Sequence, residues 1–440
     1  MTDPRAETGV FHGWKLIGAL SVILFFTAGG SMYVFPVFIE SFQAEFGWSM
    51  TQISAGAAVF AIVMGLSNPV VGMLFARWGA RATMLTGATL LALASIGYAS
   101  LRSLSMLYAV MMVAGFAVAS STVLPAQTLV THWFDRFRGR AMGITMLGIG
   151  AGGFLLPPLN EFLIRLLGWR LTWVVSCVIL VLIVIPLIAT FVRTRPSDLG
   201  LSRDGTGSGE AGGAESAPIS GLTTRTAVVT LTFWLLVGIF LLQLTGVAAL
   251  NFHFVPFAIQ EIGFTPQQAA LFYGLAIGFS VVGRLLFGWL ADRWPPALLM
   301  AISLLLAALG PAVLELFFLR LRLHEVNLLW LYAVPFGIGS GGNFVTLPVL
   351  VGRCLGELHF SKIMGLLMTG SAVGIIVGIP VSGWIFDQTG SYERVLIACV
   401  LVLLLSTLLT ALVRSERYHG EFVTEGSAAF RKPFDQERSE

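Results

Sequence analysis

Runs of apolar residues long enough to cross a bilayer recur along this chain from one end to the other. A spanning α-helix needs roughly 17–25 such residues. Twelve segments of about that length can be drawn between residues 15 and 413. Hydrophobic residues make up 56% of the chain and charged residues 11%, against about 25% charged in soluble domains. A water-soluble surface cannot be covered from that supply. Hydrocarbon offers the backbone no hydrogen bonds, so each segment must satisfy its own amides as a helix. The expected class is an all-α membrane protein with twelve transmembrane helices in two six-helix bundles. The first run is too long for a secretory signal, and no small-residue cleavage site follows it.

Twelve crossings return both termini to one side. Positive charge identifies that side, because cytoplasmic loops carry excess Lys and Arg. Nineteen of the 26 Lys and Arg residues fall on the terminal side and six on the other, while Arg284 lies within a span. Both termini are therefore expected in the cytoplasm, with the chain in the plasma (inner) membrane. The net charge of +3 reports this asymmetry, and no basic run interleaved with aromatics suggests nucleic acid.

Residues 193–228 interrupt the pattern with "DGTGSGEAGGAESAPISG", rich in Gly, Ser, Ala and acids, a flexible-linker composition. The chain divides into a six-helix bundle over 1–192, this linker, a second bundle over 229–413 and a tail over 414–440. The halves are related. "GMLFARW" at 72–78 aligns with "GWLADRW" at 288–294, an offset of 216. "RAMGITMLGIGAGGFLLPP" at 140–158 aligns with "KIMGLLMTGSAVGIIVGIP" at 362–380, an offset of 222. Two nearly equal offsets indicate duplication of a six-span unit. Such parallel repeats suit a transporter that rocks two bundles around a central site. Cys177, Cys354 and Cys399 lie far apart with no metal or redox spacing, and no cofactor or metal is expected.

Over roughly residues 14–413 the chain resembles a major facilitator superfamily transporter. That family's loop signature, G-x-x-x-D-R-x-G, follows the second and eighth spans. The second copy is well matched from Gly288 to Arg293, until Pro295 takes the final glycine position. The first keeps Gly72, Arg77, Gly79 and Arg81 but has Ala76 where the acid belongs. The resemblance implies gating roles for Asp292, Arg293, Arg77 and Arg81. More narrowly, the chain is similar to monocarboxylate porters and their bacterial oxalate–formate-porter relatives. That similarity rests on "HGWK", "EFGWSMTQIS", "WFDRFRGRAMGI", "RPSDLGL", "NFHFVPF" and Arg284.

Arg284 stands in the apolar stretch "GLAIGFSVVGRLLFGWLADR". It lies eight residues before Asp292, which at ~1.5 Å per residue places it ~12 Å deep, near the midplane of a core ~30 Å thick. A charge there costs on the order of 3 kcal/mol by the gentlest scales. It persists only beside a counter-charge or a cavity. Glu40, Glu161, Glu315 and Glu357 all fall near span ends. One reading pairs Arg284 with helix C-terminal carbonyls or Glu315. The other makes the transported anion its counter-ion, since the planar guanidinium binds both oxygens of a carboxylate. Ser280 and Gly288 share its face, and small residues there are expected to leave room for water or ligand.

His253 is the one histidine inside a span at these boundaries, about as deep as Arg284. It is read either as a neutral ring on a backbone carbonyl or as a substrate contact and proton relay. Tyr33, Asn343, Ser121 and Ser371 reach comparable depth. Each alone suits helix packing; together they are candidate cavity lining. The resemblance further implies that a porter of dicarboxylates would carry a second cation in span eleven, where this chain has "MTGSAVG". The expected function is therefore alternating-access transport of a small monocarboxylate with a proton, with no obligatory protein partner. Exchange of organic anions, or non-transporting sensing of them, are the alternatives. An intramembrane enzyme would need a nucleophile–base pair or metal cluster that the spans lack.

Overall fold

The computed structural model describes residues 11–205, 221–323 and 326–413. Most of the expected linker's Gly-Ser-rich core (206–220) and the tail (414–440) lie outside the described residues. Among the described residues, eleven helices are long and apolar enough to cross a membrane. They are His12–Met32, Ala55–Ala99, Leu104–Trp133, Arg138–Leu167, Trp169–Phe191, Leu231–Gln260, Leu271–Ala291, Pro296–Arg320, Leu329–Leu355, Phe360–Thr389 and Glu393–Leu412. The second, 45 residues long, supplies two crossings. Gly79 breaks its helical backbone with φ 79° and ψ 172°, a region open to glycine and strained for other residues. The next amide, of Ala80, donates to Thr194 Oγ1 at 3.0 Å. Twelve spans result, numbered 1 to 12 in chain order, in two six-helix bundles. Apolar side chains on spans 3, 6 and 12 point outward: Leu93 is 60%, Leu182 68% and Leu401 61% exposed.

The duplicated glycines are packing sites. A Cβ at Gly148 would meet the Ser21 carbonyl, and one at Gly152 would sit 2.4 Å from the Phe25 carbonyl. Span 5 therefore lies backbone-to-backbone on span 1. The repeat does the same in the second bundle, where a Cβ at Gly374 would come within 2.4 Å of the Leu241 carbonyl of span 7. Small residues permit this approach between membrane helices.

The two bundles meet mainly through span 5 on span 8 and span 2 on span 11. A Cβ at Gly288 would stand 2.7 Å from the Gly139 carbonyl, and one at Gly143 2.6 Å from the Arg284 carbonyl. The space expected around Gly288 is thus filled by span 5. Its small size serves closure rather than ligand. These contacts lie toward the face that carries the chain ends, here called the terminal face. Toward the opposite face no hydrogen bond joins the bundles among the described residues, and Gly274 and Gly278 of span 8 border open space. The molecule is closed on the terminal face and open on the other.

Two spans differ from expectation. Span 1 is a regular α-helix only to Leu24; it passes through a π-turn at Phe25–Gly29, ends as helix at Met32 and continues through a 3-10 turn at Phe35–Phe38. Span 4 breaks at Thr122 (φ −118°, ψ −115°). It then runs on to Trp133 and brings His132 inside a span, so His253 does not stand alone there.

The glycine contact yields a direct expectation. Gly288→Val should cost about 1–3 kcal/mol of overpacking in the closed arrangement. Closure on the terminal face should then fall roughly tenfold. Spin labels at the exposed positions Arg77 and Arg353, one on each bundle, should move apart. An unchanged distance distribution would show that the contact does not govern closure.

Candidate functional site

Arg284 sits where span 8 crosses span 5, and only 4% of it is exposed. Its Nη1 donates to the Met146 carbonyl of span 5 at 2.9 Å. The guanidinium lies 5.1 Å from the Phe344 ring centroid, a favourable cation–π approach. Room for it exists because residue 150 is glycine, where a Cβ would fall 2.8 Å from Nη1. Its buried Nε has no hydrogen-bond partner. Among the described residues no carboxylate lies within ion-pair distance. Glu315 instead pairs with Arg320 at 3.1 Å. One carbonyl and one ring thus partner a full charge buried within span 8, an incomplete set for five N–H donors.

Tyr33 stands closest to this arrangement among the expected partners. The break in span 1 turns its ring onto Gly153, one helical turn from Gly150. It lies within electrostatic reach of Arg284, as it does of Tyr273 on span 8. The other expected cavity residues are elsewhere. Asn343 is fully buried and accepts from Ser303 Oγ at 2.5 Å, tying span 10 to span 9. Ser121 is buried at the break in span 4 and donates to the Ala117 carbonyl at 2.8 Å. Ser371 is half-buried on span 11, one residue before Ala372, which packs on Gly65 of span 2. His253 Nε2 donates to the Ile379 carbonyl at 3.1 Å, and its ring lies 5.7 Å from Tyr392. It thus joins spans 7 and 11 toward the open face. A void of about 190 Å³ inside the first bundle, walled by Phe26, Phe35 and Trp173, does not include Arg284.

The terminal face is held by charges that converge on the start of span 5. Asp292 crosses from span 8 and accepts from the Gly139 amide at 2.7 Å. It also pairs with Arg140 Nε at 3.1 Å. Burial raises its carboxyl above the ordinary aspartate value, against the pull of those amides and of Arg140. Glu357, before span 11, pairs with Arg138 and, at 2.5 Å, with Arg203. Asp204 accepts from the amides of Asp135 and Arg136 at 3.0 and 2.8 Å. Arg293 lies 3.8 Å over the Trp289 ring. Arg77 and Arg81 are exposed.

The sequence profile of the Major Facilitator Superfamily matches residues 20–319 and 298–436. The chain belongs to that superfamily. Among curated proteins, mouse monocarboxylate transporter 12 is 26% identical over 429 residues, covering 91% of this chain and 85% of that protein. Rat monocarboxylate transporter 13 is 27% identical over 394 residues, covering 86% and 84%. Among solved structures, the transporter FucP in the outward conformation superposes with a TM-score of 0.69 at 13% identity. The match covers 92% of this chain and all of FucP. The human organic anion transporter MFSD10 gives 0.64 at 15% identity, covering 90% and 97%. These neighbours establish the fold. The chain is a major facilitator superfamily transporter related to the monocarboxylate transporters, and a multi-pass membrane protein.

Within this superfamily transporter the sequence reading missed two features. The first is Asn68. The offset of 216 carries Arg284 onto it, and Gly365 packs on its carbonyl as Gly143 packs on that of Arg284. Asn68 spends its amide on the Met64 and Gly65 carbonyls at 3.1 Å, so the charge belongs to one half alone. The repeat already held that signal. The second is the linker end, where Asp204 lies 69 residues from the amide it accepts and no local pattern announces the contact.

Asp292 links two bundles and lies outside the Arg284 cluster, so its loss should act on motion. Asp292→Asn should slow turnover at least severalfold while changing substrate affinity little, measured as Vmax and binding constant in the same proteoliposomes. A large loss of affinity at normal turnover would contradict the gating assignment.

Proposed function

We propose that this transporter carries a small monocarboxylate, and that the carboxylate completes the coordination of Arg284. The observation that carries this reading is the incomplete set of partners around a buried guanidinium at the bundle interface. An anion entering from the open face meets donors held in a planar fork. Tyr33 supplies a hydroxyl beside them. The names of the related monocarboxylate transporters support the same substrate class. Charge distribution supports a cytoplasmic terminal face in the plasma membrane, which makes the described state outward-open. The bound anion neutralises Arg284, removes its desolvation cost and permits closure around the site. Release of the Asp292 contacts then opens the cytoplasmic side.

Arg284→Ala should abolish uptake and binding of small monocarboxylates. The protein should still insert with equal or higher thermal stability, since a costly buried charge is gone. Arg284→Lys keeps the charge and loses the fork, so it should bind at least about tenfold more weakly. Uptake by a well-folded Arg284→Ala protein at the parental rate would end the carboxylate reading. Failure of that variant to fold would make Arg284 structural.

Proton coupling belongs to the same proposal, with the proton travelling with the anion and His253 as its relay. Nε2 of His253 is committed to Ile379, which leaves Nδ1 to accept a proton from the open side. His253→Gln should flatten the pH dependence of net uptake and spare anion exchange. A pH profile identical to the parent would reduce His253 to a pin between spans 7 and 11.

A further inference from the structure

The internal repeat reveals a cation without its acid. Asp292 pairs with Arg140 at the start of span 5. The offsets of 216 and 222 carry this pair onto Ala76 and Lys362 at the start of span 11. The backbone packing survives the transfer. Gly288 meets the Gly139 carbonyl, and in the same way a Cβ at Gly72 would lie 2.5 Å from the Ser361 carbonyl. The charge pairing does not survive. Lys362 is half-buried, and no carboxylate lies within ion-pair range of it among the described residues. The nearest acid in sequence, Glu357, is committed to Arg138 and Arg203.

A cavity of about 440 Å³ opens beside Lys362, and its polar wall holds Arg225, His359 and Thr224 as well. His359 Nδ1 accepts the Thr224 amide at 3.0 Å. Arg225 and Lys362 offer only donors. Two cations in one cavity select an anion, and phosphate oxygens match such donors. Apart from Thr223, the remaining wall is apolar. Leu366 and Met73 line it, and Met73, 53% exposed, stands on the outer surface of span 2. An acyl-bearing ligand fits that combination better than a free ion.

We propose that this cavity binds the headgroup phosphate of an anionic phospholipid from the leaflet at the terminal face. The lipid supplies the negative charge that the first signature copy lacks. It bridges the end of span 2 and the start of span 11 as Asp292 bridges spans 8 and 5, and so favours closure of the terminal face. Basic pockets between spans at this level are a general mode of acidic-lipid recognition.

The test titrates purified protein in neutral detergent with phosphatidylglycerol, phosphatidylcholine or inorganic phosphate. Thermal unfolding and lipid retained in native mass spectrometry are the readouts. Phosphatidylglycerol should raise the unfolding temperature of the parent by at least about 2 °C and stay bound, while the other two do neither. Arg225→Gln combined with Lys362→Gln should lose both effects. Ala76→Asp supplies the acid from within, so it should also lose the response and start from a higher unfolding temperature. A parental response in either the double variant or Ala76→Asp overturns the proposal. An equal shift with inorganic phosphate overturns the lipid assignment in favour of a soluble anion. Should the double variant fail to fold, Ala76→Asp decides alone.

Discussion

Everything at the centre of this molecule depends on how closely span 5 can approach span 8. Gly139 and Gly143 on one side and Gly288 on the other remove the side chains that would hold the bundles apart. With them gone, the backbone of span 5 reaches Arg284 and presents the Met146 carbonyl to its guanidinium. The same approach brings the start of span 5 within hydrogen-bond range of Asp292. The proposed site and the proposed gate are therefore two ends of one contact. A ligand that changes how Arg284 is satisfied acts on a helix pair whose far end is the lock.

The architecture was legible because hydrocarbon leaves the backbone few choices. Length, apolarity and the asymmetry of Lys and Arg pointed to twelve spans and a shared side for the termini. Arg284 was legible for the same reason, since an unpaired cation at that depth violates the composition around it. The polar residues of similar depth were not. Ser121 and Asn343 bond to their own helix or a neighbour, and depth alone cannot distinguish an inward-facing hydroxyl from one lining a cavity. Gly288 misled for a related reason. A missing side chain leaves space, but sequence does not say whether ligand or another helix fills it. Breaks at Thr122 and within span 1 were also silent, because apolar residues carry the same hydropathy in α, π and 3-10 geometry.

Duplication gave the two halves one plan, but the two halves carry different charges on it. Arg284 faces Asn68 across the repeat, and Asp292 faces Ala76. The second bundle thus holds the proposed anion anchor, Arg284, and Asp292, the carboxylate that pairs with Arg140. The first contributes the helix start that Asp292 grips and the glycine beside which the guanidinium rests.

Span 1 adds a mechanical property. Its path from Phe25 to Phe38 passes through a π-turn and then a 3-10 turn. Rise per residue is about 2.0 Å in 3-10 geometry and about 1.5 Å in α. Rewinding Phe35–Phe38 as α-helix would exchange its i→i+3 bonds for i→i+4 bonds, shorten the path by about 2 Å and draw Tyr33 toward Ile39. Adjacent to it lies empty volume inside the first bundle, bounded by Phe26 and Trp173. A change of length there would move against unfilled space and would carry with it the tyrosine that lies within electrostatic reach of Arg284.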